Sequence, residues 1–129
     1  MGTNGNLELR LIHDTLQAST THDGINVYET TDRLAKFLDS IKNPTNDQYK
    51  NWFIETSKDL QVNEFRGEHL GGITTNEIII DVPRKLILYT HNYEYPDSFM
   101  NACIKLQLRH NYQILQYGKP IKKNPYAEI

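Results

Sequence analysis

Two helical patterns separated by an Asn-Pro break constrain the fold of this chain more than any other feature. The first has apolar residues at the spacing of one helix face: Leu34, Phe37, Leu38 and Ile41. Pro44 ends it, because the residue before a proline avoids the helical backbone region. Thr45 and Gln48 then match a capping box, in which each side chain satisfies a free backbone N–H. The sequence therefore predicts a helical hairpin over 31–60 that lies on a sheet.

Extended patterns flank this hairpin. Alternating apolar and charged residues predict a half-buried strand over 7–11, with a helix through Leu9, Ile12 and Leu16 as the alternative. Asp23-Gly24 predicts a turn, since glycine accepts a positive φ. The remaining predicted elements are strands over 25–28, 62–66, 77–82, 85–90 and 112–117, and a helix over 96–109. Gly118-Lys119-Pro120 is expected to end the last strand.

The order of these elements predicts an α+β fold. From residue 25 it is strand, helical hairpin, strand, strand, helix, strand, which matches the split βαβ arrangement of ferredoxin-like folds with an added N-terminal strand. We therefore predict helices packed on one face of a mainly antiparallel sheet. A length of 129 residues indicates a single domain over 1–129.

Composition excludes several classes of protein. The 14 basic and 16 acidic residues give a net charge of −2, which excludes a polycationic nucleic-acid packer. Cys103 is the lone cysteine, so no intramolecular disulfide can form. No apolar run approaches the roughly 18 residues of a membrane span, and residues 1–6 do not resemble a secretory leader. These observations predict a cytoplasmic protein without membrane association.

The two parts of the chain differ in charge. Residues 1–83 hold 7 basic and 13 acidic side chains, whereas 84–129 hold 7 basic and 3 acidic. Tyrosines are interleaved with the cations of the second part, a combination that stacks bases and neutralises phosphates but also anchors protein interfaces. The predicted binding surface consists of Arg84, Lys85, Tyr93, Tyr95, Lys105, Arg109, His110 and Tyr117.

Catalytic motifs give little support for an enzyme. The sequence has neither the Gly-x-Ser-x-Gly elbow of serine hydrolases nor a P-loop. Cys103 lies in an apolar helical pattern and is expected to be an inert core residue. The dipeptides His13-Asp14 and His22-Asp23 have the residue types of a metal-dependent hydrolase, but turn formation and exposure explain them. No catalytic residue, metal ligand or cofactor is assigned.

Three functions follow as expectations. The first is a small non-catalytic cytoplasmic binding or inhibitor module that acts on a protein partner. An AT-rich codon bias suggests an accessory protein of a phage or mobile element. The alternatives are a nucleic-acid-binding protein that uses the basic, Tyr-rich C-terminal half, and a small metal-dependent hydrolase or nuclease with a distributed His/Asp site. A homo-oligomer is compatible with all three.

Overall fold

The computed structural model describes residues 4–21, 24–62, 76–92 and 95–121. The strands are β1 (Gly5–Arg10), β2 (Thr15–Thr20), β3 (Asn76–Asp81), β4 (Leu86–Asn92) and β5 (Gln113–Ile121). The helices are α1 (Thr30–Ser40), α2 (Asn46–Asp59) and α3 (Asp97–His110), preceded by a 3₁₀ helix over Gly24–Glu29. None of the described helices is long and apolar enough to cross a bilayer.

The five strands form one mixed sheet in the order β2-β1-β3-β4-β5. β1 pairs antiparallel with β2 and parallel with β3, and β4 pairs antiparallel with β3 and parallel with β5. The predicted α+β class with helices on a sheet is confirmed. The sheet is mixed rather than mainly antiparallel, because β1 lies beside the parallel β3. β4, α3 and β5 also depart from a split βαβ unit, since their two parallel strands are direct neighbours.

The predicted strand over 25–28 is wrong, because these residues form the 3₁₀ helix. Val27 and Tyr28 are both fully buried, and two successive inward side chains do not suit a half-buried strand. Gly24 has a different role from the positive φ expected of it. A Cβ atom there would lie 2.1 Å from the carbonyl oxygen of Asn4, so glycine is required by close backbone approach.

The helical hairpin is confirmed, together with the capping box that starts its second helix. The hydroxyl of Thr45 accepts from the backbone N–H of Gln48 at 3.2 Å, and the Gln48 side chain accepts from the backbone N–H of Thr45 at 2.8 Å. Phe53 of α2 is fully buried in the core. The strand predicted over 62–66 lies outside the described residues apart from Val62, which is buried and follows the end of α2.

Tyr28 joins the helical layer to the sheet at the centre of the core. Its hydroxyl lies 3.0 Å from the carbonyl oxygen of Thr90 on β4 and 3.1 Å from Oδ1 of Asn76 on β3. Its ring meets those of Phe99 and Tyr95 edge-on, with centroids 5.4 and 5.0 Å apart. These contacts combine apolar burial with a satisfied hydroxyl, as a buried tyrosine requires.

The last helix and strand extend beyond their predicted bounds in one respect. Phe99, Ala102, Cys103 and Leu106 form the buried face of α3. β5, which was expected to end at 117, continues to Ile121, because Ile121 pairs with Asn92 across a register irregularity in β4. Pairing with β4 thus overrides the breaking tendency of glycine and proline at an edge strand.

Candidate binding site

A groove opens at the end of the sheet where β1 and β3 finish and β4 and β5 begin. Its cavity volume is about 490 Å³. Four connections build it: the β1–β2 turn, the α1–α2 link, the β3–β4 turn and the α3–β5 link. We call it the sheet-end groove and define it by Ile12, Asp39, Lys42, Pro44, Lys85 and His110.

Backbone strain is concentrated around this groove. Asn43, Lys85 and Asn111 have φ values of 50°, 51° and 60°, in the left-handed region. Asparagine tolerates that region, whereas lysine does so at a cost. The Lys85 carbonyl accepts from the backbone N–H of Gln113 at 2.8 Å, so the sheet holds this conformation in place. Such conformations persist where surrounding structure enforces them, and they are common at binding sites.

Asp39 is engaged at the edge of the groove. Its two carboxylate oxygens lie 2.8 Å from Nε2 of His110 and 3.1 Å from the guanidinium of Arg109. The hydrogen bond from His110, assisted by the charges of Arg109 and His110, lowers the pKa of this carboxyl group. The interaction ties the end of α1 to the end of α3 and neutralises the acidic group of the groove.

The lysines of the groove remain available to a ligand. Lys42 and Lys85 are exposed, and neither forms an ion pair within the described part of the chain. The Lys85 ammonium lies 5.6 Å from the ring centroid of Tyr112, which favours a position over the groove. With Asp39 already paired, the groove presents net positive charge.

The floor of the groove is uncharged. Tyr49 and Tyr112 are 7% and 4% exposed, and their hydroxyl groups are hydrogen-bonded to each other. Burial raises the pKa of both phenols above the usual value, so both stay neutral at physiological pH. A neutral floor below two ammonium groups suits a ligand that is both apolar and anionic.

The predicted surface residues are divided between distant parts of the molecule. Lys85 and His110 line the groove, and Arg109 and Arg84 lie beside it. The others are placed elsewhere: Tyr95 stacks on Phe99 at 4.7 Å at the far end of the sheet, Lys105 is on the exposed side of α3, and Tyr117 is half-buried on β5. Tyr93 lies outside the described residues.

Sequence reasoning missed the contribution of the acidic half of the chain. Asp39, Lys42 and Tyr49 belong to the helical hairpin, and Ile12 belongs to the first turn. The Asn43-Pro44 link was visible as a helix stop, but nothing in its composition indicates a binding site. Only the packing of this link beside the β3–β4 turn gives it that position.

The proposed metal ligands are not brought together in the described residues. Asp14 forms an ion pair with Lys50 at 2.9 Å, and His13 is exposed. His22 and Asp23 lie outside the described residues. Within the described ranges, no group of three or more potential His, Cys, Asp or Glu ligands is found.

Cys103 is buried, and burial raises its pKa to about 11. Since the thiolate is the reactive species, about one thiol in a thousand is ionised near pH 8. We expect iodoacetamide to alkylate the native protein at least about 100-fold more slowly than the urea-unfolded chain. Mass spectrometry of quenched samples measures both rates. Equal rates would contradict the buried position of this side chain.

Similarity to known proteins does not bear on the groove. No protein-family model, curated protein or solved structure matches the chain. Its function is therefore argued from the geometry and chemistry of the groove.

Proposed function

We propose that the chain is a non-catalytic binding module whose sheet-end groove holds an acidic segment of a protein partner. The observation that carries this proposal is the pair of unpaired, exposed ammonium groups, Lys42 and Lys85, above the apolar and neutral interior of one groove. Ion pairing with a carboxylate and burial of an apolar side chain would then occur together. This combination gives orientation as well as affinity.

A second cavity extends the same surface. It has a volume of about 350 Å³ and is lined by Arg10, Asp81 and Arg84 on the other side of a ridge formed by Ile12 and Pro83. Ile12 is 69% exposed, which makes this ridge an apolar contact for a passing chain. An extended segment that crosses the ridge would meet cations on both sides, so the surface favours a peptide over a compact small molecule.

Base stacking has less support here. Single-stranded nucleic acids use exposed aromatic faces together with cations. Tyr112 and Tyr49 are buried, and Tyr95 is packed in an aromatic cluster with Tyr28 and Phe99. The cations of the groove are thus separated from the rings that were expected to accompany them. We place the module in the cytoplasm, as an inhibitor or accessory protein, because a lone cysteine fits a reducing compartment.

Selection of a random peptide library on the immobilised protein tests this proposal. We expect the selected peptides to be enriched in Asp and Glu next to an apolar residue. Their affinity should fall about 100-fold in the double variant Lys42→Glu/Lys85→Glu, because like charges then face each other. Lys105→Glu changes the same charge on the exposed side of α3 and should leave the affinity within about twofold.

Two outcomes would overturn the proposal. One is a set of selected peptides without acidic enrichment, and the other is equal binding by the double variant and the native chain. A fluorescent oligonucleotide titrated at low and high salt forms the second arm. Tight, salt-sensitive binding of the oligonucleotide by a protein that selects no peptides would instead favour the nucleic-acid alternative.

The strain at Lys85 gives a paired stability test. Lys85→Ala and Lys85→Gly both remove the ammonium group, but only glycine adopts a φ of 51° without steric cost. We expect Lys85→Gly to be more stable than Lys85→Ala by about 1 kcal/mol, while both bind the selected peptides equally weakly. Urea unfolding measures the stability difference. A more stable alanine variant would show that position 85 does not hold this backbone conformation.

A further inference from the structure

The strand β5 leaves an open edge on the sheet. Within the described residues, β4 is its only partner. Natural edge strands are protected from pairing with other chains by charges, prolines or short length. β5 is nine residues long, and its first five residues, 113–117, carry no charge. Leu115 is 42% exposed in the middle of this neutral stretch.

An apolar stripe lies on the helix above that edge. Met100, Ile104 and Leu108 of α3 are 52%, 49% and 79% exposed. Residues four apart share one side of a helix, so these three side chains form a continuous stripe. Such a stripe on a soluble domain marks an interaction surface.

The stripe and the strand edge face the same side of the molecule. Arg109 of α3 points to Asp39 on α1, and Phe99 of α3 points to Tyr89 in the sheet. The stripe lies on the flank of α3 away from α1. Because α1 packs toward β1 and β3 through the 3₁₀ helix, the opposite flank of α3 lies on the β5 side of the sheet.

We propose that a second copy of this chain pairs with this side of the molecule, β5 against β5, around a two-fold axis. The two strands would run antiparallel and join two five-stranded sheets into one. The same rotation would bring the two α3 helices together across the junction, with their apolar stripes in contact. One partner would thus cover both exposed features.

The positions along the two elements agree with a single axis. Leu115 lies two residues after the start of β5, about 7 Å along the strand. Ile104 lies six residues before the end of α3, about 9 Å along the helix from the same end of the sheet. An axis near Leu115 therefore passes close to Ile104, so the centres of the strand pair and of the helix pair coincide.

Charge and size both suit a second copy. Around the axis, neutral residues meet neutral residues, and the antiparallel α3 helices place the acidic residue Asp97 of each copy near the positively charged end of the other. A nine-residue strand is about 30 Å long, and a sheet with one helical layer is about 20 Å thick. This face of roughly 600 Å² in projection is comparable to the roughly 800 Å² of accessible surface that each partner buries in a standard interface.

Light scattering coupled to size-exclusion chromatography tests the proposal. We expect the native chain to elute as a dimer of twice 15.0 kDa at a concentration of about 100 µM. Leu115→Lys and Ile104→Glu should each yield a monomer with an unchanged circular dichroism spectrum, because both side chains are exposed in the single chain. Ile54→Lys alters an exposed apolar residue on α2 instead and should remain dimeric.

A cross-link reports the register directly. In Leu115→Cys, the two introduced thiols would face each other across the axis, at the Cα separation that an antiparallel pair and a disulfide share. Oxidation should therefore give a covalent dimer on a non-reducing gel, whereas the buried native Cys103 should give none. A monomeric native protein, or a dimer that survives both Leu115→Lys and Ile104→Glu, would overturn the proposal.

Discussion

Gly24→Ala is expected to destabilise the protein by about 3 kcal/mol or more, because the added methyl group collides with backbone atoms. Its Cβ would lie 2.1 Å from the carbonyl oxygen of Asn4 and 2.7 Å from the backbone nitrogen of Gly5. No side-chain rotation relieves such a contact. The same Asn4 carbonyl accepts from the backbone N–H of Asn76 at 3.0 Å, so a shift would also disturb the start of β3.

Glu29→Ala is the matched control for this substitution. Glu29 lies in the same 3₁₀ helix but is only half-buried, and its replacement should change stability by no more than about 0.5 kcal/mol. Urea unfolding monitored by circular dichroism compares the two variants with the native chain. If Gly24→Ala proved as stable as Glu29→Ala, the close packing of the 3₁₀ helix on β1 would be incorrect.

Phe99→Ala is expected to cost about 3–5 kcal/mol, the range found when a buried phenylalanine is truncated. The ring is fully buried and contacts three tyrosines: Tyr28, Tyr89 and Tyr95. Removing it leaves a cavity between α3 and the sheet and takes away one member of an aromatic cluster whose edge-to-face contacts add to apolar burial.

Asn101→Ala tests whether the loss is specific to the core. Asn101 is exposed on the same helix, two residues further along, and alanine has the higher helix propensity. We therefore expect this variant to be as stable as the native chain or slightly more so. Thermal or urea unfolding of the two variants should differ by several kcal/mol, and similar stabilities would contradict the placement of Phe99 in the core.

Local signals made the helical hairpin predictable. Pro44 stops a helix wherever the chain is placed, and the capping box of Thr45 and Gln48 forms between residues three apart. The interaction of Asp32 with Lys36, expected from the spacing of four residues, is present at 3.0 Å. These features depend on neighbours in the sequence, which is why they could be predicted before any tertiary structure was known.

Strand order was not accessible in the same way. The position of β1 between β2 and β3 depends on pairing between residues about 70 positions apart, such as Leu7 with Ile78. The hydrophobic pattern of β1 would suit either an edge or a central position. The Val27–Tyr28 region illustrates the same limit, because both residues are apolar enough for a strand, and only their packing against β1 and β3 selects the 3₁₀ helix.

The groove was predicted in part. Lys85, Arg109 and His110 were identified because the C-terminal part of the chain is locally basic. Tyr95 and Lys105 were grouped with them for the same reason, although the structure places them elsewhere. Composition identifies the charge of a segment, but it does not determine which side chains of that segment face the same space.

The sequence by itself determined the class of fold, the helical hairpin with its cap, and the strongly apolar strand β3, because each depends on contacts between near neighbours or on the apolar content of one segment. The tertiary structure alone decided that the α1–α2 link, from the acidic half, lies beside the β3–β4 turn, so that Lys42 and Lys85 share one groove. The physical reason is that sheet pairing and helix packing act between distant residues, and their geometry is set jointly by the whole core rather than by any single segment.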